Sequence, residues 1–221
     1  MQLNKESLAD QISQELQNRI VNVEISQGEK IDVGELEREF GVSRAPVREA
    51  LQSLVDQGLV EVRPRVGYFA VELTPKQIKD ICELRRLLET FALEHSINEI
   101  KKAKLERLYR ESLELRDNDF SQETLRLRFD QADEEIHEMI IQNCSNEFLR
   151  DFTERIHNLI ALTRHLNERI KEANKEHLKL IDAILDRDLQ RAKDKLKKHL
   201  DNVEVEIIHS IQSINVSKKS E

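Results

Sequence analysis

The spacing of apolar residues divides the chain into a short mixed segment and a long helical one. The first apolar stripe repeats every three or four positions and consists of Leu8, Ile12, Leu16, Ile20 and Val23. This spacing is typical of a helix with one buried face, so residues 7–24 are predicted to form a helix. The sequence Ser26-Gln27-Gly28 interrupts the pattern and indicates a break.

Two further helices separated by a tight turn are predicted after this break. The first carries Leu36 and Phe40 on one face and ends at Gly41, because glycine tolerates the left-handed conformation that closes a helix. Ser43 is predicted to cap the second helix, and Pro46 falls in its first turn, where proline removes no needed hydrogen bond. The inward face of the second helix consists of Val47, Leu51 and Leu54.

After Gly58 the pattern changes to short extended runs. Residues 59–62 and 68–71 are predicted strands, joined by a turn at residues 63–67 that contains a proline and a glycine. The order helix, turn, helix and ribbon predicts a winged helix-turn-helix domain, which is a DNA-binding module.

From residue 75 onward the pattern is helical. Thr74 and Pro75 form a strong helix start, and Gln77 completes a capping box. The predicted helices are 75–97, 101–117, 122–142, 146–167, 169–186 and 189–212. The fold class is therefore mainly α, with a winged helix-turn-helix domain at residues 1–73. An all-α antiparallel helical bundle is predicted at residues 74–221.

The arginines of the first domain concentrate on the surface that would face DNA. Arg44 and Arg48 lie one turn apart near the start of the second helix of this helix-turn-helix, where they can reach base edges and phosphates in a major groove. Arg63 and Arg65 lie at the tip of the ribbon and are predicted to contact the phosphate backbone or a minor groove. The alternative is a small structural unit with solvated arginines.

Composition favours a soluble, helix-rich protein. Hydrophobic residues make up 38% and charged residues 35% of the 221 positions, and no apolar run is long enough to cross a bilayer. Two cysteines do not form a disulfide framework, so a cytoplasmic location is expected. The net charge is −8, and residues 1–74 hold 8 basic against 13 acidic residues. DNA binding must then depend on the local field of the arginines, which predicts salt-sensitive binding with weak non-specific affinity.

Four residues of the second domain have a spacing that fits a metal site. Asp133 and His137 are four positions apart and project from one helix face. His177 and His199 each share a helix face with apolar residues, so both imidazoles are predicted to point inward. Three imidazoles and a carboxylate are suitable ligands for Zn²⁺, Ni²⁺ or Mn²⁺. The alternatives are histidines on helix surfaces or core histidines that are hydrogen-bonded to neighbours.

The run VSRAPVREALQSLVDQGLVEVRPRVGYFAV resembles the DNA-binding domain of the GntR superfamily of bacterial transcription regulators, and the resemblance covers about residues 8–71. It implies that five positions contact DNA, namely Ser43, Arg44, Ala45, Arg48 and Gly67. One position departs from the family pattern: Gly34 stands where many members have an arginine, and Arg38 lies one helical turn further on as its candidate substitute.

The helical segments around Asp133, His177 and His199 resemble the FCD effector domain of the FadR-like branch of that superfamily. The resemblance covers residues 75–210 and implies that Asp133, His137, His177 and His199 hold a divalent cation at the bottom of a ligand cavity. It also implies that Arg85 binds a carboxylate of the effector, with an ion pair to an acid such as Glu89 as the alternative. Arg164 is a further candidate for effector binding.

These features favour a ligand-responsive regulator, which in this family usually represses transcription. A homodimer is expected to place two recognition helices in successive major grooves of a pseudo-palindromic operator on double-stranded DNA. A small carboxylate effector is expected at the metal. One alternative is a metal-dependent, hydrolase-like enzyme that uses the His₃-Asp centre to activate water. Another is a DNA-binding protein in which the metal only stabilises the bundle.

Overall fold

The structure is a computed structural model that describes residues 7–163 and 166–218; the side chains at 154, 155, 157 and 214–218 are not described. The described residues form nine helices and three short strands. They fall into two compact units, the first of which ends at Thr74 while the second begins at Pro75. The short segment His157–Leu162 groups with the first unit. The domain division at residues 73 and 74 remains a prediction.

The first unit contains three helices and a small antiparallel sheet. Its elements are α1 (Leu8–Val21), β1 (Lys30–Ile31), α2 (Val33–Phe40), α3 (Arg44–Asp56), β2 (Val60–Arg63) and β3 (Gly67–Ala70). The predicted order of helix, turn, helix and ribbon is therefore confirmed. The sheet has the strand order β1-β3-β2, and β1 was not predicted from the sequence. A two-residue strand is too short to show an alternating pattern.

Local sequence signals explain the helix ends of this unit. Ser7 and Asp10 form a reciprocal capping box at the start of α1. Gly41 ends α2 in the left-handed conformation, with φ 65°, as predicted. Ser43 occupies the cap position of α3, but its side chain makes no capping hydrogen bond, so the expected cap is present in backbone geometry only. The core of the unit contains the fully buried side chains of Leu16, Ile20, Leu51 and Leu54.

The second unit is all helical among its described residues. Its helices are α4 (Pro75–Ser96), α5 (Lys102–Asp117), α6 (Gln122–Gln142), α7 (Glu147–Ala161), α8 (Ile170–Leu185) and α9 (Leu189–Lys218). All six predicted helices are present, and two of their ends differ from the prediction by more than one residue. Helix α7 ends at Ala161 rather than at residue 167, because the chain leaves the helix in a turn at residues 162 and 163. Helix α9 continues past residue 212 to Lys218.

The main core of the second unit lies where α4, α5, α6, α8 and α9 pack together. Its largest fully buried side chains include Leu93, Leu105, Leu108 and Ile136. Cys82 and Cys144 are free and buried, as expected for apolar core residues. A smaller cluster around Phe129 packs α6 against the start of α8. None of the described helices is long and apolar enough to span a membrane.

Candidate metal centre and DNA-contacting surface

The start of α3 presents the predicted DNA-contacting residues to solvent. Ser43, Arg44, Ala45 and Arg48 are all exposed, as is Arg38 on α2. The Arg44 side chain is 65% exposed, and its Nε lies 3.6 Å from Glu37 Oε1, which is a weak contact at the surface. The inward residues Val47, Leu51 and Leu54 fix the orientation of α3, because they are fully buried. The contacts of these arginines with DNA remain a prediction.

The turn between β2 and β3 holds its two arginines differently. Arg63 Nη2 lies 2.7 Å from Glu61 Oε1, and its guanidinium lies 3.9 Å from the centre of the Phe69 ring. Arg65 is exposed and has no ion pair among the described residues. Arg65 has φ 63°, and the Val66 amide donates to the Arg63 carbonyl, so Arg65 occupies the turn position that usually requires glycine.

We expect Arg65→Gly to stabilise the ribbon and to weaken DNA binding. A non-glycine residue in the left-handed region costs about 1–2 kcal/mol, so the substitution should raise the stability of the β2–β3 pairing by about 1 kcal/mol. Hydrogen exchange of the β2 and β3 amides measures this gain. The loss of one phosphate contact should reduce the slope of log affinity against log salt by about 1.

Arg65→Ala is the control, because it should lose the same contact without the gain in stability. If Arg65→Gly keeps its full affinity and salt slope, Arg65 does not contact phosphate.

Four side chains from three helices of the second unit converge on one point. Asp133 and His137 come from α6, His177 from α8 and His199 from α9, and one donor atom of each lies within 4.8 Å of all the others. The Nε2 atom of His199 lies 3.3 Å from His137 Nε2 and 3.3 Å from His177 Nε2. Asp133 Oδ1 lies 3.2 Å from His177 Nε2. The three imidazoles are buried, and the Asp133 side chain is 17% exposed.

Two acids, the buried Glu89 and the half-buried Glu176, hold the outer nitrogens of two of these imidazoles. Glu89 Oε2 lies 2.6 Å from His137 Nδ1, and Glu176 Oε2 lies 3.0 Å from His199 Nδ1. A carboxylate only accepts, so each Nδ1 must donate its proton. A neutral imidazole that donates from Nδ1 carries its lone pair on Nε2. His137 and His199 therefore direct two Nε2 lone pairs at each other, which is unfavourable unless a proton or a cation lies between them.

The third imidazole is positioned by an aromatic ring instead of an acid. The Phe129 ring stacks on His177, with ring centroids 5.6 Å apart and planes 10° from parallel. His177 Nδ1 is buried and has no hydrogen-bond partner among the described residues. All three Nε2 atoms thus remain directed at Asp133, and the donor set of three nitrogens and one carboxylate oxygen is one that Zn²⁺, Ni²⁺ and Mn²⁺ accept.

The guanidinium group of Arg85 is paired with an acid and is not free to bind a ligand through all its nitrogens. Its Nε lies 2.5 Å from Glu89 Oε1 within α4, and both side chains are buried. This contact is the ion pair that the sequence left open as the alternative for Arg85. The pair continues through Glu89 to His137, so Arg85 is linked to the cluster through a shared carboxylate. The other candidate for effector binding, Arg164, lies outside the described residues.

Opposing effects act on the acids of the cluster. Burial favours their protonated forms, but the neighbouring donors and cations outweigh it. The hydrogen bond from His177 and the nearby positive charge of Arg85 hold the pKa of Asp133 well below 3.8. Arg85 and His137 lower the pKa of Glu89 in the same way. The pKa of Glu176 falls to about 2, because His199, Arg169 and Asn202 donate to its carboxylate. The cluster therefore keeps ionised acids beside its imidazoles.

We expect the metal-free protein to lose stability between pH 7.5 and pH 5 because of His199. Burial, and then the neighbouring His177, lower the pKa of His199 from 6.5 to about 4. The unfolded chain therefore takes up a proton near pH 6.5 that the folded chain resists until about pH 4. Stability falls as the pH decreases through this window, by about 2 kcal/mol at pH 5. Urea unfolding followed by circular dichroism measures this change, and an unaltered pH dependence in His199→Gln would contradict the assignment.

The sequence predicts the four donors but not the acids behind them. Glu89 lies four positions after Arg85, and Glu176 immediately precedes His177. Neither spacing indicates that the carboxylate faces an imidazole on another helix. That relation arises only when α4 packs on α6 and α8 packs on α9. Carboxylates at the outer nitrogen of metal-binding histidines fix the ring orientation and raise the basicity of the ligand.

Comparison with known proteins gives matches to both units. The model of the family "Bacterial regulatory proteins, gntR family" matches residues 8–70, and the model of the FCD domain matches residues 80–202. The HTH-type transcriptional regulator YdhC of Bacillus subtilis is 28% identical over 87% of this chain and 87% of its own length. The HTH-type transcriptional repressor GlaR of Escherichia coli is 26% identical over 84% of this chain and 89% of its own length.

Solved structures of an FCD domain resemble the second unit. The FCD domain of TM0439 has been solved both metal-free and Zn²⁺-bound. The Zn²⁺-bound form is 34% identical to this chain, covers 64% of it and 99% of that domain, and superimposes with a TM-score of 0.56. The metal-free form has a TM-score of 0.59 over the same share of both chains.

Proposed function

The chain belongs to the GntR family of bacterial regulatory proteins with an FCD domain, and we propose from this premise that it is a ligand-responsive repressor with a metal-based effector site. It is a transcription regulator and not an enzyme, so the hydrolase hypothesis is discarded. The repressor assignment follows relatives such as GlaR. The helical unit senses a small organic acid, and the winged helix-turn-helix unit binds the operator.

The observation that carries the metal centre is the arrangement of the Nε2 atoms of His137, His177 and His199. Two nitrogens that each lie about 2.0–2.1 Å from Zn²⁺ at a tetrahedral angle are separated by about 3.3 Å. His199 Nε2 lies 3.3 Å from His137 Nε2 and 3.3 Å from His177 Nε2. A cation at this point relieves the repulsion between lone pairs and pairs with the Asp133 carboxylate. The proposed ligands are therefore Asp133, His137, His177 and His199.

Zn²⁺ is the first choice of metal, because the FCD domain of TM0439 has been solved with it. Ni²⁺ and Mn²⁺ remain alternatives, since imidazole and carboxylate ligands also suit them. When bound, the ion supplies positive charge and open coordination positions that attract an oxyanion. In the protein, Glu89 and Glu176 hold His137 and His199 in the tautomer that ligation requires.

A small carboxylate is the proposed effector. Its oxygen would complete the coordination of the metal, and the buried positive charge of Arg85 favours an anion in the same region. Because Arg85 is committed to Glu89 through Nε, it acts on the effector mainly through its charge and its remaining guanidinium nitrogens. Arg164 keeps its predicted role as a second carboxylate-binding residue.

The proposed DNA-binding form is a homodimer on a pseudo-palindromic operator. Arg44 and Arg48 would enter the major groove. Further contacts around them would come from Arg38, Ser43, Ala45 and Gly67, and mainly phosphate contacts from Arg63 and Arg65.

An exposed apolar stripe on α4, formed by Leu84, Leu87 and Phe91, supports association of two helical units. Sedimentation should give a dimer at micromolar concentration both free and on DNA, and a monomer in both states would refute this form.

A thermal-shift screen separates effector sensing from a purely structural metal. The full chain is stripped of metal, reloaded with Zn²⁺, Ni²⁺ or Mn²⁺, and then mixed with a panel of small carboxylates. If the metal is a sensor, metal raises the melting temperature and one carboxylate raises it further only in the loaded protein. For a repressor that the acid releases, the same carboxylate weakens operator binding, and the operator then weakens carboxylate binding by the same factor. Stabilisation by metal with no response to any carboxylate would favour a structural metal.

A further inference from the structure

A cavity between the outer faces of α8 and α9 is lined mainly by cations. It has a volume of about 230 Å³ and is lined by Arg169, Glu172, Lys175, Glu176, Lys179, Lys195 and Lys198. None of its four lysines has an acidic partner among the described residues, whereas Lys76, Lys102, Lys104 and Lys193 elsewhere in the unit each pair with one. This concentration is unusual in a chain whose net charge is −8.

The spacing of the lysines favours a bound anion. Lys175 and Lys179 lie four positions apart on α8, and Lys195 and Lys198 lie three positions apart on α9. Like charges at these spacings repel each other on a helix surface. Five cations face two acids in the cavity, so the net charge of the lining favours an anion with more than one negative charge.

Arg169 links this cavity to the metal centre. Its Nη2 lies 3.1 Å from Glu176 Oε1, while its Nη1 is buried without a hydrogen-bond partner among the described residues. Glu176 Oε2 in turn holds His199 Nδ1. An unsatisfied guanidinium nitrogen costs free energy that an anion in the cavity would recover. The same anion would compete with Glu176 for Arg169, and so it would alter how Glu176 holds His199.

We propose that this cavity is a second regulatory site, which binds a phosphate-bearing small molecule and adjusts metal affinity through Arg169 and Glu176. Phosphate suits the cavity because it carries between one and two negative charges at pH 7 and accepts from both arginine and lysine. The anion site is independent of the carboxylate sensor. Only its effect on metal affinity rests on the proposed metal centre.

The probe is inorganic phosphate. The full, metal-loaded chain is titrated with it, and phosphate replaces chloride so that the ionic strength stays constant. We expect saturable binding at one site per chain. The test variant is Lys179→Gln/Lys198→Gln, whose side chains are exposed, so folding should be retained. The control is Lys171→Gln/Lys197→Gln, which removes the same charge from exposed positions of the same two helices outside this cavity. The affinity for phosphate should fall at least tenfold in the test variant, and a tenfold loss corresponds to roughly 1.4 kcal/mol. In the control the affinity should change less than twofold.

The second readout is the rate at which a chelator removes the metal, with and without phosphate. Phosphate should change this rate more in the wild type and in the control than in the test variant. Any direct reaction of phosphate with the metal is common to all three proteins, so the difference between them reports the cavity. Absence of saturable binding, or equal loss in both double variants, would overturn the site. Saturable binding with no effect on metal release would overturn the link to the metal centre while leaving the carboxylate sensor intact.

Discussion

Replacing His199 with alanine is expected to lower the bound metal from one equivalent per chain to far less, and to remove the response of operator binding to the effector. His199 Nε2 is the donor that lies 3.3 Å from both other imidazole nitrogens, so its loss opens the centre of the cluster. Removal of a residue behind a ligand typically lowers metal affinity by roughly 10–100-fold, and removal of the ligand itself should have a larger effect. Elemental analysis of purified and reconstituted protein is the measurement.

The matched control for this experiment is His209→Ala. His209 is an exposed histidine on the same helix, α9, so it tests whether the loss of any imidazole lowers the metal content. Because His199 is buried, the alanine variant loses packing as well as a ligand. Asp133→Asn is therefore the second variant, since it keeps the size of the side chain and removes the ligand charge. Both variants should retain operator binding, because the DNA-contacting arginines belong to the other unit.

The decisive contrary result comes from the wild type. If the purified protein and the reconstituted sample both contain far less than one equivalent of metal, the four residues form a polar core cluster rather than a metal centre. Arg85 would then become the main candidate for effector binding. Its ion pair with Glu89 would have to open for this role, because both side chains are buried and held together.

The helices of both units could be predicted because each has an apolar stripe that packs against its neighbours. The stripe of α1 contains Ile12, Leu16 and Ile20, and all three side chains are buried. The end of α7 was placed too late because the pattern continues beyond Ala161 while the chain turns at Thr163. The strand β1 was missed because its pairing, Lys30 with Phe69 and Ile31 with Tyr68, connects residues that are distant in sequence.

The candidate metal donors could be identified because helix geometry fixes their direction. Asp133 and His137 share a face by spacing, and the apolar neighbours of His177 and His199 place those imidazoles in the core. Glu89 is different, because its position behind His137 depends on how α4 packs on α6. The basic cavity likewise combines lysines from two helices. Such relations between helices are not encoded in the periodicity of either helix.

Replacing Arg44 and Arg48 with alanine is expected to abolish most of the preference of the protein for its operator. Each good contact of an arginine with a base is worth about 1–3 kcal/mol, so Arg48→Ala alone should weaken specific binding by roughly 5–150-fold. The double variant should lose more, although the two effects need not add because the residues are one turn apart. Both side chains are exposed, so the loss should not reflect unfolding.

The measurement compares an operator selected from random duplexes with unrelated DNA at physiological salt. Arg110→Ala is the control, because Arg110 is an exposed arginine of the helical unit. Its loss removes one positive charge, as each substitution at Arg44 or Arg48 does. We expect the control to keep its operator affinity. In the double variant, affinity for the operator should approach that for unrelated DNA, since phosphate contacts from Arg63 and Arg65 remain and are insensitive to sequence. Operator affinity that is unchanged in the double variant would refute the assignment of α3 as the recognition helix.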